Sequence, residues 1–308
     1  MRRMLLPILA SLLASCSPEA LLNATIPRAG TGITRDIKYG PLDRQTLDVY
    51  RPPGATGSAP LVVFLYGGSW KTGSKDTYPF VALALARRGA VVVLPDYRVY
   101  PNVGFPLFLQ DNAAATAWAF AHAAEWGADP HAIFLMGHSA GAYNAAMIAL
   151  DPAFLADHGV NRNRLAGVIG LATPADFLPS HDPDVAPVFG AANTPANQPL
   201  AYADGHNPPL LLLSGDADAI VQPRNTVTLA AAIRQRGGPV ESRLYPGIGH
   251  IGIITAFAPL FQGRAPSLED SWRFIEAHRP QIPAQNSATT QPSPANQMTD
   301  RMDAQPAK

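Results

Sequence analysis

The feature of this sequence that most restricts its fold is a serine between two glycines, at the junction of a predicted strand and a predicted helix. Gly137 and Gly141 lie two positions on either side of Ser139; the apolar run 132–135 precedes them and the Ala-rich segment 142–150 follows. A strand that turns so sharply into a helix needs glycines there, because side chains would collide with the neighbouring backbone. A chance match would lack this context. The sequence therefore predicts a nucleophile elbow that lifts the Ser139 hydroxyl clear of a sheet.

Strands and helices alternate along most of the chain. Eight short segments have strand-like patterns: 33–39, 45–50, 61–65, 90–94, 132–135, 165–170, 210–213 and 241–245. Five longer segments have helix-like patterns: 77–88, 108–126, 142–150, 225–236 and 267–278. Strands that alternate with helices of this length form a mostly parallel sheet with helices on both faces. The predicted fold class is therefore α/β, with an eight-stranded sheet in one domain that spans residues 33–279.

The balanced charge of the chain restricts its partners. Lys and Arg together number 23, as do Asp and Glu. Since no basic run is present to bind a phosphate backbone, no nucleic-acid partner is predicted. Hydrophobic residues make up 47% of the 308 residues, which is ample for one large core. The sequence contains neither a His-x-x-x-His pair nor a glycine-rich phosphate-binding motif, so no metal and no other cofactor is predicted.

The beginning of the chain is similar to the signal peptide of a bacterial lipoprotein. Arg2 and Arg3 precede an apolar stretch, residues 4–14, that is too short to span a bilayer. Cys16 follows small residues and is the only cysteine in the chain, as expected of a cysteine that is lipidated and becomes the mature N-terminus. An ordinary signal peptide that ends near a cysteine is the alternative. We therefore expect residues 1–16 to be a lipoprotein signal, and the protein to be anchored in the cell envelope, facing the periplasm or the exterior.

The segments that flank the predicted domain differ from it in composition. Residues 17–32 are predicted to form a linker between the signal and the domain. From Pro280 onward Pro, Gln, Ala, Asn and Thr dominate, and no apolar period is present. Residues 280–308 are therefore predicted to be a disordered tail.

A serine hydroxyl needs a base to become a nucleophile, and His250 is the best placed of the eight histidines. It follows the last predicted strand in a glycine-rich loop, and functional residues of open α/β sheets gather at the carboxyl ends of strands. His138, beside the serine, is expected to point away and pack. For the carboxylate that orients the base, we prefer Asp218 to Asp216 because it lies deeper in the loop after strand 210–213. Asp216 is expected to cap that loop.

Acyl transfer also needs hydrogen-bond donors for the oxygen that becomes negative. Ala140 follows the serine and is predicted to supply one backbone N–H. Gly67 and Gly68 follow the predicted strand 61–65 and are predicted to supply the others, because glycines let a backbone approach a substrate closely. A plain turn is the alternative for this pair, and its position after a buried strand disfavours that alternative.

Together these motifs resemble the α/β-hydrolase family. The similarity is to small carboxylesterases with a His-Gly-Gly oxyanion motif and to their kynurenine-formamidase and isoprenylcysteine-methylesterase-like relatives. It covers about residues 47–278, in five motifs: Leu47-Asp48-Val49-Tyr50-Arg51-Pro52, Tyr66-Gly67-Gly68-Ser69-Trp70, Asp96-Tyr97-Arg98, Gly137-His138-Ser139-Ala140-Gly141, and Gly215-x-x-Asp218 with Gly249-His250. The resemblance implies an α/β-hydrolase fold and a cofactor-independent reaction through an acyl-enzyme.

The chain departs from this family at Tyr66, where many members carry a histidine that orders the oxyanion loop. We expect activity to survive this change. The sequence does not predict which hydrogen bonds the loop forms with tyrosine at this position. The segment 174–207 is short and Pro-rich, and it contains Phe177, Phe189 and Tyr202. It predicts a minimal cap over the acyl pocket rather than a large lid.

The function predicted from the sequence is a membrane-anchored serine carboxylesterase that acts on small esters. An arylformamidase or another amidase that uses the same residues is the alternative among enzymes, because leaving-group preference depends on the shape of the pocket. A non-catalytic binding lipoprotein on a hydrolase scaffold is a third possibility. The presence of Ser139, Asp218 and His250 together disfavours it, because a decayed enzyme usually loses one of its catalytic residues.

Overall fold

A computed structural model of the chain describes residues 18–28 and 30–280. Its strands are β1 (Gly32–Lys38), β2 (Thr46–Arg51), β3 (Ala59–Leu65), β4 (Val91–Pro95), β5 (Ala128–His138), β6 (Gly167–Leu171), β7 (Leu210–Gly215) and β8 (Val240–Tyr245). Its α-helices are α1 (Pro18–Thr25), α2 (Pro79–Arg88), α3 (Leu107–His122), α4 (Ala140–Leu150), α5 (Ala153–Ala156), α6 (Ala186–Phe189), α7 (Arg224–Gln235), α8 (His250–Thr255) and α9 (Ser267–His278). No helix in these two ranges is long and apolar enough to cross a membrane. The predicted signal with Cys16, and the predicted tail beyond Pro280, lie outside the described residues.

The eight strands form one sheet in the order β1-β2-β4-β3-β5-β6-β7-β8. β2 is antiparallel to both of its neighbours, and all pairs from β4 to β8 are parallel. The α/β prediction of a mostly parallel eight-stranded sheet is therefore confirmed. The largest difference in bounds is at β5, which begins four residues before the apolar run that predicted it.

Both faces of the sheet are buried, which explains why its central strands are apolar throughout. In β3, Val62 and Phe64 belong to one hydrophobic cluster, while Leu61, Val63 and Leu65 belong to the other, and all five are fully buried. Helices α2 and α9 cover the first face, and α7 covers the second. Burial of a side chain of this size contributes about 1.5–3 kcal/mol relative to exposure.

The register of the parallel strands brings four loops to one edge of the sheet. Leu65, the last residue of β3, pairs with Gly137 near the end of β5. Gly215, the last residue of β7, pairs with Tyr245, the last residue of β8. The loops that follow β3, β5, β7 and β8 therefore open beside one another, and these loops carry the residues that the sequence indicates as functional.

Part of the predicted linker 17–32 is packed structure. Leu22 and Ile26, in and just after α1, are 8% and 4% exposed and join the core cluster around α2. The Asn23 side chain accepts a hydrogen bond from the Phe80 N–H at 2.9 Å and donates one to the Thr77 carbonyl at 3.2 Å. The segment differs from the predicted linker because Leu22 and Ile26 pack into the core and Asn23 bonds an N–H of the first turn of α2.

Candidate active site

Ser139 lies on a strained turn between β5 and α4. Its φ and ψ are 55° and −123°, a conformation that costs about 1–3 kcal/mol and that the surrounding structure must enforce. A Cβ on Gly137 would lie 2.2 Å from the Gly141 carbonyl oxygen, and a Cβ on Gly141 would lie 2.0 Å from the Leu65 carbonyl oxygen. Both glycines are therefore sterically required. The Ser139 N–H donates to the Leu171 carbonyl at 2.9 Å, which fixes the turn against β6.

Three of the side chains singled out in the sequence meet in a hydrogen-bonded chain. The Ser139 Oγ lies 2.9 Å from His250 Nε2, and His250 Nδ1 lies 2.8 Å from Asp218 Oδ2. An ionised carboxylate can only accept, so Nδ1 carries the hydrogen and Nε2 is left to accept the serine proton. His250 is the first residue of α8, a short helix that the sequence patterns did not predict. This arrangement is able to activate a hydroxyl for attack.

The two aspartates of the loop after β7 have different partners. Asp218 is buried, and its Oδ1 accepts hydrogen bonds from the Ile220 and Val221 amides at 2.9 and 2.8 Å. Burial opposes ionisation, but the hydrogen bonds from His250 and these amides outweigh it and lower the pKa of the Asp218 carboxyl. The exposed Asp216 accepts from the Gly247 N–H at 2.7 Å, so it bonds a backbone amide as expected, but this amide belongs to the loop after β8 rather than to its own loop.

The loop after β3 lies directly against Ser139. A Cβ on Gly67 would lie 2.9 Å from the His138 carbonyl oxygen and 3.0 Å from Ser139 Cβ. Gly68 has a φ of 131°, and Ser69 follows in the left-handed region with a φ of 52°. On the other side of Ser139, Ala140 is the first residue of α4, and the first amides of a helix have no acceptor within it. Gly67 and Ala140 thus place backbone beside Ser139, and Gly68 follows in the same loop, where a Cβ would meet Thr72.

The pocket beside Ser139 has a volume of about 220 Å³. Ser69 and Trp70 of the β3 loop line it together with Ser139 and Ala140. The sequence predicted a functional role for the two glycines of this loop but none for Ser69. Its position directly after them could have indicated that it lines the pocket. A groove of about 420 Å³ that includes Trp272 shares no lining residue with this pocket.

The 174–207 segment lines the pocket with Phe177, and its aromatic side chains pack around Trp70. Phe177 stacks on Trp70 with ring centroids 6.0 Å apart, and Phe189 meets Trp70 edge to face at 5.1 Å. The Trp70 indole N–H donates to Asn144 Oδ1 at 2.9 Å, which fixes the ring. The Tyr143 hydroxyl donates to the Asn197 carbonyl at 2.7 Å and ties the segment to α4. This segment is the minimal cap that the sequence predicted.

His138 packs away from the pocket, and it also contacts the predicted base. It is 2% exposed, and its Nε2 lies 3.1 Å from the backbone carbonyl oxygen of His250. Burial, together with the nearby His250, lowers the pKa of His138 to about 3. His138 is therefore neutral near neutral pH, and it adds no positive charge to the site.

Tyr66 lies at the position where the family resemblance leads us to expect a histidine, and it forms its own hydrogen bonds. Its hydroxyl donates to Asp96 Oδ1 at 3.0 Å, and its ring stacks on Tyr97 with centroids 4.6 Å apart. The Tyr97 hydroxyl donates to the Tyr66 carbonyl at 2.8 Å. Burial raises the pKa of the Tyr66 hydroxyl, so this group stays protonated and able to donate. In the described ranges, no group of three or more His, Cys, Asp or Glu side chains could hold a metal ion.

Comparison with known proteins is consistent with this geometry. Residues 47–233 match the model of the BD-FAE family. The isoprenylcysteine alpha-carbonyl methylesterase ICME of Arabidopsis thaliana is 26% identical over an alignment of 278 residues that covers 80% of this chain and 62% of that protein. Esterase LipQ of Mycobacterium tuberculosis is 30% identical over an alignment of 235 residues that covers 68% of this chain and 54% of that protein. The chain thus spans less than two thirds of the length of either relative.

Solved structures show the same fold. Esterase B of Lactobacillus rhamnosis superposes with a TM-score of 0.71 at 20% sequence identity, over 89% of this chain and 94% of that one. The family match extends over more than half of the chain and includes most of β2, all of β3, the Ser139 turn and the Asp218 loop. The chain therefore belongs to the BD-FAE family of α/β-hydrolases.

Proposed function

We propose that this protein is a serine carboxylesterase that hydrolyses small carboxylic esters through an acyl-enzyme intermediate. The observation that carries the proposal is the hydrogen-bonded chain from Asp218 through His250 to Ser139, with distances of 2.8 and 2.9 Å. It reaches the surface of a pocket that is large enough for a small acyl group. The esterases among the relatives support the same class of reaction.

In the first half of the reaction, His250 Nε2 takes the proton of the Ser139 hydroxyl while Oγ attacks the ester carbonyl carbon. The carbonyl oxygen becomes negative and is held by the Ala140 N–H and by amides of the loop that contains Gly67 and Gly68. Asp218 stabilises the imidazolium through Nδ1. The imidazolium then returns its proton to the alkoxide that departs, so an alcohol leaves and the acyl group remains on Oγ.

In the second half, a water molecule replaces the alcohol. His250 removes a proton from the water as its oxygen attacks the acyl carbon, and the same donors hold the negative oxygen again. Collapse of this intermediate breaks the bond to Ser139 Oγ, which takes the proton back from the imidazolium. The carboxylic acid leaves and the free enzyme is restored without any other reactant.

We also propose that Cys16 carries a lipid that anchors the protein to a membrane of the bacterial cell envelope, with its catalytic domain in the periplasm or outside. Support comes from the small residues before Cys16 and from the positively charged and apolar stretch that precedes them. Mass spectrometry of the mature protein tests the anchor. Lipid on residue 16 is expected in the wild type and absent in Cys16→Ser; a mature N-terminus elsewhere would contradict it.

The catalytic proposal is tested with protein that lacks residues 1–16. Hydrolysis of p-nitrophenyl acetate and butyrate is compared between the wild type and Ser139→Ala, together with labelling by a fluorophosphonate and turnover of the matched anilides. We expect turnover of both esters, with turnover and labelling lost in Ser139→Ala. Faster turnover of the anilides would make it an amidase, and a folded but inert and unlabelled wild type would contradict the proposal.

A further inference from the structure

Arg44 holds both ends of the loop that follows β3. It lies in the turn between β1 and β2, more than twenty residues before this loop in the sequence. Its Nη2 donates to the Tyr66 hydroxyl at 2.9 Å and to the Gly73 carbonyl at 2.8 Å. Its Nε donates to the Tyr97 carbonyl at 2.8 Å. One guanidinium group therefore joins the first and last residues of the segment 66–73.

The backbone conformation of segment 66–73 must be held in place by its surroundings. Ser69 and Trp70 have φ values of 52° and 57°, and non-glycine residues keep the left-handed region only when their surroundings enforce it. The ends of the segment also lie very close together. A Cβ on Gly73, whose φ is 99°, would lie 2.7 Å from the Gly67 carbonyl oxygen and 2.8 Å from the Tyr66 ring.

The Tyr66 hydroxyl connects Arg44 to the half-buried carboxylate of Asp96. It accepts from Arg44 and donates to Asp96 Oδ1, which also accepts the Lys75 N–H at 2.8 Å. Arg44 Nη2 lies 3.8 Å from the same carboxylate oxygen. A phenol can accept and donate at once, whereas Arg44 can only donate. Tyrosine at position 66 is therefore compatible with an arginine donor on one side and a carboxylate acceptor on the other.

We infer that Arg44 is a positioning residue, which acts through Tyr66 and Gly73 to hold the loop amides where the oxyanion forms. The inference rests on the proposed esterase function, and it assigns a specific role to a side chain that touches no substrate. The planar guanidinium reaches three acceptors in fixed directions, which a lysine ammonium on a flexible stem does not reproduce. Tyr66 and Arg44 together thus fix the start of the loop, and Arg44 also fixes its end.

The experiment compares four variants with the wild type. Arg44→Met removes all three hydrogen bonds but keeps the aliphatic stem, and Arg44→Lys keeps a positive charge. Tyr66→Phe keeps the stacked ring and removes only the hydroxyl. Arg51→Met is the matched control, because Arg51 is an exposed arginine at the end of the neighbouring β2. For each protein we would measure kcat and KM for p-nitrophenyl acetate, the inhibition constant of a trifluoromethyl ketone, and the thermal unfolding midpoint.

In Arg44→Met we expect kcat to fall about 10- to 100-fold with KM within about twofold, since the lost interaction acts on the transition state. The inhibition constant of the ketone, which forms an oxyanion, is expected to rise in proportion to the loss in kcat/KM. Arg44→Lys is expected to be intermediate. Arg44→Met and Tyr66→Phe are expected to be less than additive, because they break the same contact.

The inference is overturned if Arg44→Met keeps wild-type kcat, or if it lowers only the unfolding midpoint as a purely structural residue would. Equal losses in Arg51→Met would also overturn it. Failure of the proposed function looks different, because then the wild type itself is no more active than Ser139→Ala. If the wild type is active, Ser139→Ala is inert and Arg44→Met has the kcat of the wild type, the proposed function stands and only the role of Arg44 is rejected.

Discussion

His138 donates its Nε2 hydrogen to the backbone carbonyl of His250 at 3.1 Å, so the residue before the predicted nucleophile holds the backbone of the predicted base. A carbonyl oxygen only accepts, which places the hydrogen on Nε2. Nδ1 has no hydrogen-bond partner among residues 18–28 and 30–280. The two rings lie 4.8 Å apart, so a charge on both would be strongly unfavourable. Burial and this proximity keep His138 neutral.

The neutral state of His138 predicts a specific loss of stability in acid. Its pKa is lowered to about 3 in the folded protein, against about 6.5 in an unfolded chain. As the pH falls from about 6 to about 4, the unfolded state binds a proton that folded His138 does not, so the free energy of unfolding decreases. We expect His138→Gln, which keeps a donor, to reduce this decrease by about 1 kcal/mol per pH unit.

Urea denaturation at a series of pH values between about 4 and 7 measures this slope. His158→Gln, at an exposed histidine, is the matched control for the substitution itself. A slope in His138→Gln equal to that of the wild type would show that His138 already binds its proton in the folded protein.

Asp218 and Asp216 provide a matched pair of substitutions. Asp218→Asn removes the carboxylate that fixes the tautomer of His250, and we expect kcat to fall about 10³- to 10⁴-fold, with KM little changed. Asp216→Asn affects only a loop contact with the Gly247 N–H, and we expect kcat within about threefold of wild type. Ester hydrolysis with both purified variants checks this. Comparable losses in the two would assign the orienting role to the loop as a whole.

Gly67 is predicted to be intolerant of any side chain. A Cβ there would lie 2.9 Å from the His138 carbonyl oxygen, so the loop must move away from Ser139 to accommodate it. We expect Gly67→Ala to lower kcat about 10- to 100-fold, because small displacements of oxyanion donors are costly. Gly263→Ala is the control, since its Cβ would meet no atom within 4 Å. A wild-type kcat in Gly67→Ala would show that this loop does not supply donors to the oxyanion.

The fold was predictable from the sequence because its signals are local. Apolar runs such as 61–65 mark strands that are buried on both faces, and the steric need for Gly137 and Gly141 marks the turn at Ser139. The chain order of serine, aspartate and histidine then follows from the parallel strands, whose carboxyl ends share one edge. Local patterns and topology together were enough to single out Asp218 and His250.

Contacts between distant side chains were not predictable in this way. Arg44 is an ordinary polar residue of a turn, and only the tertiary structure brings it to Tyr66 and Gly73. The packing of α1 depends on Leu22 and Ile26, two apolar residues in a segment that otherwise has the composition of a linker. Such roles depend on which elements become neighbours in the fold. The residues close to Arg44 or to Leu22 in the sequence carry no pattern that indicates those neighbours.

An ion pair joins the predicted oxyanion loop to the cap. Lys71 Nζ lies 2.5 Å from Asp184 Oδ1, beside the stacked rings of Trp70 and Phe177. The side chains of Lys71 and Asp184 are 33% and 74% exposed, and exposed pairs contribute only about 0–1 kcal/mol. Its loss is therefore expected to loosen the rim of the pocket without unfolding the protein. Asp184 itself lines the pocket, so the looser rim should admit larger acyl groups.

We expect Lys71→Met to raise the ratio of kcat/KM for p-nitrophenyl hexanoate over acetate by about threefold, which corresponds to an ion pair of less than about 1 kcal/mol. Asp184→Asn is expected to do the same, and the charge-exchanged double variant Lys71→Asp/Asp184→Lys to restore the wild-type ratio. High salt should shift the wild type in the same direction, because about 1 M salt reduces the screening length to about 3 Å. A ratio that is unaffected by both variants and by salt would mean that the aromatic contacts of Phe177 alone hold the cap closed.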